Sequence, residues 1–140
     1  MTDLQVTTGG LAAELALTEG GFTTDLARVT FHTGTRMRTL VRAKASGRPG
    51  PRAQTGDYRR SISQSNVMDG DVPVALVFTN ATQGRRLEYG FNAVDAAGRR
   101  FRQPPYPHWR PAADEVQGLF EAECVKLVER AVARFTRRNT

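Results

Sequence analysis

The sequence predicts an α+β fold: a small antiparallel sheet of two hairpins packed against two long helices, with the longer helix at the C-terminal end. Three observations carry this. The final stretch holds an unbroken apolar stripe, Ala113, Val116, Phe120, Cys124, Leu127, Ala131 and Phe135, spaced 3, 4, 4, 3, 4 and 4, which is helical periodicity. Asp69-Gly70 stands between two strand-like runs, a strong hairpin signal. A Pro/Gly segment, Ser46 to Gln54, separates those runs from an earlier helical stretch.

Taken in order, residues 3–8 are polar and Gly9-Gly10 breaks them. Leu11–Leu17 is a short helix former, stopped by Gly20-Gly21, so residues 1–23 read as an N-terminal extension. A helix is expected over residues 24–45, capped by Thr24 or Thr23 with Asp25 in its first turn. Its apolar positions are Leu26, Val29, Met37, Leu40 and Val41, followed by Ala43 and Ala45, and Thr33 and Gly34 interrupt them. Its other face carries Arg28, Arg36, Arg38 and Arg42.

Pro49 and Pro51 exclude helix or strand interior from the loop that follows. Thr55-Gly56 then opens a strand from Tyr58 to Met68, with Tyr58, Arg60, Ile62 and Gln64 on one face. The returning strand, Val72 to Thr79, is apolar on both faces and is expected to be the central, most buried strand, with Pro73 at its start. A short helix is expected within 80–90, capped by Asn80 or Thr82 and ended by Gly90. Residues 92–103 read as a second hairpin turning at Ala97-Gly98. Pro104-Pro105-Tyr106-Pro107 is extended, and the last helix is expected to begin near Pro111, with Asp114 and Glu115 at its start and Arg134, Arg137 and Arg138 at its end.

A chain of 140 residues is one domain's worth, and residues 1–140 are read as a single domain. The formal charge is +6, and 18 of the 20 cations are Arg. Arg grips phosphates and carboxylates with a planar fork, although GC-rich coding produces the same bias. The charges are segregated. Residues 1–27 hold four acids and no cation, and residues 28–60 hold nine cations and one acid, Asp57. Residues 85–110 hold six arginines against Glu88 and Asp95. Such stripes suit nucleic acid or an acidic face on a neighbouring subunit.

Several classes are excluded by the residues present. The lone Cys124 cannot form an internal disulfide framework. His32, His108 and Cys124 have no metal-ligand spacing, so no metal is expected. No apolar run approaches the roughly 20 residues of a membrane span, and Met1–Gly10 lacks the regions of a signal peptide. Cys124 lies on the apolar stripe and reads as core. The carboxylate pairs Asp69/Asp71 and Asp114/Glu115 sit at a turn and in a helix's first turn, where they have structural work. Gly47-Arg48-Pro49-Gly50 lacks the Lys and helix of a phosphate loop. The chain is read as a non-enzyme with no catalytic residues and no cofactor. Arg99, Arg100 and Arg102 around Phe101 could hold a single strand of nucleic acid, and a solvated or intersubunit face is the reading preferred.

Three stretches carry a resemblance: Gln54-Thr55-Gly56-Asp57-Tyr58-Arg59-Arg60-Ser61-Ile62, then Arg86-Leu87-Glu88-Tyr89-Gly90, then Pro104-Pro105-Tyr106-Pro107-His108-Trp109-Arg110-Pro111-Ala112. In their order and spacing they resemble the head–tail joining (neck, tail-completion or minor tail) proteins of long-tailed bacteriophages. The motif positions are Thr55, Gly56, Arg60, Ser61, Ile62, Glu88, Gly90, Pro104, Pro105, Trp109, Pro111 and Ala112. Tyr58 stands where such proteins usually carry Leu, and residues 91–103 form an enlarged, protruding arm. Glu88, one acid among arginines, is expected as an ion-pair partner within or between subunits, or as a solvated helix carboxylate. Pro104 to Trp109 are expected to fix the entry of the last helix, with Tyr106 and Trp109 as anchors.

The resemblance implies a structural virion protein that forms a ring, sixfold or twelvefold, between head connector and tail tube. Its partners would be copies of itself, the connector or stopper, and the terminator or tube proteins. DNA would pass through the ring, and no membrane would be involved. The protein would be made in the bacterial cytoplasm and reside in the virion. Candidate interface residues are Arg36, Arg38, Arg42, Arg85, Arg86, Glu88, Arg99, Arg100, Phe101 and Arg102. The alternatives are the tail terminator that caps the tube and a small basic nucleic-acid-binding protein.

Overall fold

The computed structural model describes residues 21–138. The elements among these are α1 (Gly21–Lys44), α2 (Asp57–Ser61), β1 (Ser63–Asp69), β2 (Val72–Phe78), α3 (Gln83–Tyr89), β3 (Phe91–Val94), β4 (Arg100–Gln103) and α4 (Trp109–Arg138). The class is α+β, as expected, with four helices and two antiparallel hairpins among the described residues. The expected Leu11–Leu17 helix lies outside them.

Helices α1 and α4 run antiparallel. Asp25 near the start of α1 reaches Arg134 near the end of α4 at 3.7 Å, and Lys44 at the end of α1 meets Glu115 near the start of α4 at 3.4 Å. Helix α1 begins at Gly21, so Thr23 and Thr24 lie inside it and cap nothing, and Asp25 pairs with Arg28 at 3.2 Å. Gly34, expected to interrupt the helix's apolar face, is instead buried where α1 crosses the β1–β2 hairpin. A Cβ there would sit 2.6 Å from the Ala75 Cβ and 2.7 Å from the Gln64 Nε2. The missing side chain lets helix backbone and sheet touch, and Gln64 Nε2 donates to the Phe31 carbonyl at 3.1 Å.

The expected strand from Tyr58 is corrected: residues 57–61 form a helical turn and β1 starts at Ser63. Tyr58 and Ile62 are four apart, which a helical turn also puts on one side, and Arg59, Arg60 and Ser61 carry no strong strand preference. Gly56 enters the turn at φ 79°, a conformation that favours glycine.

β1 and β2 pair from Ser63↔Phe78 to Asp69↔Val72. β2 is the most buried of the four described strands, as expected, but it is not central and only one of its faces is covered. The hairpins do not merge: β1–β2 and β3–β4 are separate two-stranded sheets. Pro73, Ala75 and Val77 face inward, whereas Val72, Leu76 and Phe78 are 60%, 53% and 40% exposed. No strand or helix covers that outer face among the described residues. Likewise only α1 packs extensively on this hairpin, and α4 packs on α1 rather than on the sheet.

The core joins Val41, Ala45, Ile62 and Ala112, with Met37, Leu40, Tyr58, Val77 and Trp109 packed around it. Helix α4 begins at Trp109, two residues before the expected Pro111. Its inner stripe is Ala112, Val116, Leu127 and Ala131; Ala113 is exposed, and Cys124 is half-buried. The second hairpin and its turn stand where expected, with Phe91↔Gln103 and Val94↔Arg100 at its ends.

Candidate functional site

The three stretches that carry the resemblance meet at one buried polar node. Glu88 comes from α3, Tyr58 from α2, and His108 and Trp109 from the entry of α4. Sequence reasoning expected an ion pair or a solvated carboxylate for Glu88; the solvated reading is corrected, and the side chain 3.1 Å from Oε2 is His108 rather than an arginine. Its side chain is buried, and it caps α4. Oε2 accepts from the backbone N–H of His108 at 2.8 Å and Trp109 at 3.0 Å, and Oε1 accepts from Arg110 at 2.9 Å. The first N–H groups of a helix have no partner within it, and their dipoles favour negative charge. One distant carboxylate supplies what a cap residue next to the helix usually does. Burial raises the Glu88 carboxyl, but the amides of Trp109, His108 and Arg110, with His108 alongside, outweigh it and hold the group below its ordinary 4.5.

His108 is fully buried. Its Nδ1 lies 2.9 Å from the Tyr106 carbonyl and 3.1 Å from Glu88 Oε2, and its Nε2 lies 2.6 Å from the Tyr58 hydroxyl. Trp109 Nε1 donates to that hydroxyl at 3.1 Å. The tautomer with hydrogen on Nδ1 would give every group a partner: Nδ1–H faces the two oxygens, and the Tyr58 hydroxyl can donate to Nε2 while accepting from Trp109. Burial pushes the Tyr58 hydroxyl above its ordinary 10.0, the Trp109 hydrogen bond opposes this, and the Glu88 charge adds to it. Among the described residues no buried side-chain polar atom lacks a partner. The node therefore holds three distant segments in one arrangement.

Above the node lies an open cleft of about 540 Å³, walled by the 45–59 segment, α3 and the base of the second hairpin. Tyr58 lines it, with Arg48, Arg52 and Arg59 at its edges. The Arg48 guanidinium lies 3.6 Å above the Tyr106 ring and donates to the Gly50 carbonyl at 3.0 Å. Tyr106 is fixed by its own N–H, which donates to the Leu87 carbonyl at 2.7 Å.

The other motif positions have local roles. Arg60 pairs with Asp57, and Thr55 receives the Asp57 N–H at 3.3 Å. Ser61 bonds Thr79 Oγ1 at 2.7 Å, tying α2 to the end of β2. Ile62 and Ala112 are core. Gly90, at φ 73°, backs onto the Gln103 carbonyl and Pro105. Pro104 and Pro105 are exposed; Trp109 and Pro111 are half-buried.

The candidate interface residues do not form one surface. Arg42 donates twice to the Ile62 carbonyl, at 2.6 and 3.1 Å, so it braces α1 against the start of β1. Arg36 lines a shallow groove between α1 and α4, and Arg38 is half-buried. Arg85 and Arg86 are exposed on α3, Arg86 lying 4.9 Å over the Phe91 ring. Arg99 pairs with Asp95 at 2.6 Å within the arm's turn. Arg100, Phe101 and Arg102 are exposed on the arm. Sequence reasoning missed His108 and the Tyr58 hydroxyl as node members. The available signal was a lone acid followed, 20 residues later, by His-Trp at a helix start.

Among the described residues no group of three or more His, Cys, Asp or Glu is placed to hold a metal ion, and no helix is long and apolar enough to cross a membrane. The chain matches no family model, no curated protein and no solved structure.

Proposed function

We propose that this protein is a structural ring subunit at the head–tail junction of a long-tailed bacteriophage, joining the head connector to the tail tube. It acts by binding, without catalysis or cofactor, in a virion assembled in the bacterial cytoplasm. The observation that carries the reading is the convergence of residues 54–62, 86–90 and 104–112 on the node around Glu88 and His108. The stretches that resemble the neck proteins are those that fix the entry of α4 and the base of the arm. The exposed face of β2 supports the same reading: Val72, Leu76 and Phe78 form an apolar surface on a two-stranded sheet, and such surfaces are normally covered by a partner.

The arm, with Val94 65% and Phe101 49% exposed, is assigned to contact a neighbouring subunit or ring. Deleting residues 92–102 should leave a folded protein that fails to join heads to tails. Normal infectious particles from that deletion would overturn the proposal. The nucleic-acid alternative has one supporting feature, Phe101 between Arg100 and Arg102 on the exposed arm. It requires a DNA affinity that falls steeply with salt, whereas the ring reading expects weak binding without sequence preference.

A further inference from the structure

The cleft above the node is lined by hydrogen-bond donors. Arg48, Arg52 and Arg59 border it with the amides of Gln54, Gln83 and Gln103, and no Asp or Glu lines it. Two of the guanidinium groups are already held in place. Arg48 lies flat on Tyr106 and spends one donor on Gly50, and Arg59 spends one donor on Ser46 Oγ at 2.9 Å. Each keeps further donors for a ligand. Arg52 makes no hydrogen bond or ion pair with the described residues. A planar fork held in advance binds a carboxylate with little ordering cost.

We infer that this cleft receives the carboxylates of residues 1–20 of a second copy of the chain, so that neighbouring copies link head to tail. The inference rests on the ring reading above and names its contact. Residues 1–20 carry Asp3, Glu14 and Glu19 and no cation, which complements the cleft. Reach limits which of these carboxylates the same chain can supply. Residue 20 adjoins the start of α1, whereas Ala45, at the other end of that helix, lines the cleft. The 24 residues of α1 span roughly 35 Å. Seven fully extended residues, the distance from Glu14 to Gly21, cover at most about 25 Å. Glu19 and Glu14 therefore fall short of their own cleft, and only Asp3 is far enough back. A contact between two different surfaces of identical chains is heterologous, the kind that closes into rings. The cleft is a small concavity between a loop and a hairpin base, which suits a peptide segment better than the convex backbone of a duplex.

Two full-length charge-reversed chains test this by analytical ultracentrifugation in near-physiological salt. One carries Arg52→Glu with Arg59→Glu; the other carries Asp3→Lys, Glu14→Lys and Glu19→Lys. Thermal melting followed by circular dichroism checks that each folds, and Arg52→Glu alone serves if the double variant does not. Each chain alone should need about tenfold or more higher concentration to assemble than the wild type. An equimolar mixture should recover wild-type assembly, because each chain's acidic or basic segment then finds an opposite cleft. The inference is overturned if either variant alone assembles normally, if the mixture fails to recover, or if the wild type stays monomeric. It is equally overturned if Arg52→Glu abolishes binding to a DNA duplex while leaving assembly unchanged. Recovery in the mixture, together with infectious particles from the arm deletion, would remove the head–tail reading and leave the cleft contact standing.

Discussion

Glu88 shows how one residue's role depends on what folds back onto it. In sequence it is an acid among arginines; in the structure it accepts from three backbone amides and pairs with no arginine side chain among the described residues. Glu88→Gln should destabilise the fold by about 1–3 kcal/mol at neutral pH, since the buried amides lose a charged acceptor. The sign with pH follows from the lowered folded value. The carboxylate's contribution is complete above its ordinary 4.5 and is lost as pH falls through the lower folded value. Urea unfolding of both proteins at neutral pH and in acid should show the gap closing in acid, and a gap that stays constant would refute the charge's part. Tyr58→Phe leaves His108 Nε2 and Trp109 Nε1 without their partner in the interior. It should cost about 1–3 kcal/mol, read as a lower urea midpoint. The Tyr58 hydroxyl is what links His108 to Trp109.

At the scale of elements, the crossing of α1 over the first hairpin is set by a missing side chain. A helical Gly→Ala change normally stabilises by about 0.5–1 kcal/mol. At Gly34 the added methyl would meet Ala75 and Gln64 well inside contact distance, whereas at Gly118 on α4 nothing lies within 4 Å. Gly34→Ala should therefore lower the melting temperature, forcing helix and sheet apart, and Gly118→Ala should raise it. Equal effects from the two would show that the close approach carries no weight. The same crossing explains why Thr33 and Gly34 read as a break in the helix's apolar pattern. Periodicity measures side-chain hydrophobicity, and here the contact is made by backbone.

At the scale of the whole molecule, α1 is the middle layer, with the first hairpin on it and α4 packed along it. That layering leaves the outer face of β2 without a partner among the described residues. Val72→Thr with Leu76→Thr keeps strand preference and removes exposed apolar surface. The double variant should melt within about 0.5 kcal/mol of the wild type while self-associating more weakly by light scattering. A marked loss of stability would mean that this face is packed within the subunit.

The sequence by itself determined the fold class, both hairpin turns, α3 with its stop at Gly90, and the long α4, because each rests on local periodicity or turn chemistry that short stretches carry alone. It also placed Ile62 and Ala112 within motifs and marked Tyr106 and Trp109 as anchors for the entry of α4. Only the tertiary structure decided that Tyr58 sits in a helical turn, that the two hairpins form separate sheets, and that Glu88, His108, Tyr58 and Trp109 join. Those outcomes depend on pairings across 20 to 51 residues. A polar side chain has no sequence period that announces its partner: its burial becomes favourable only once the distant donor or acceptor is in place.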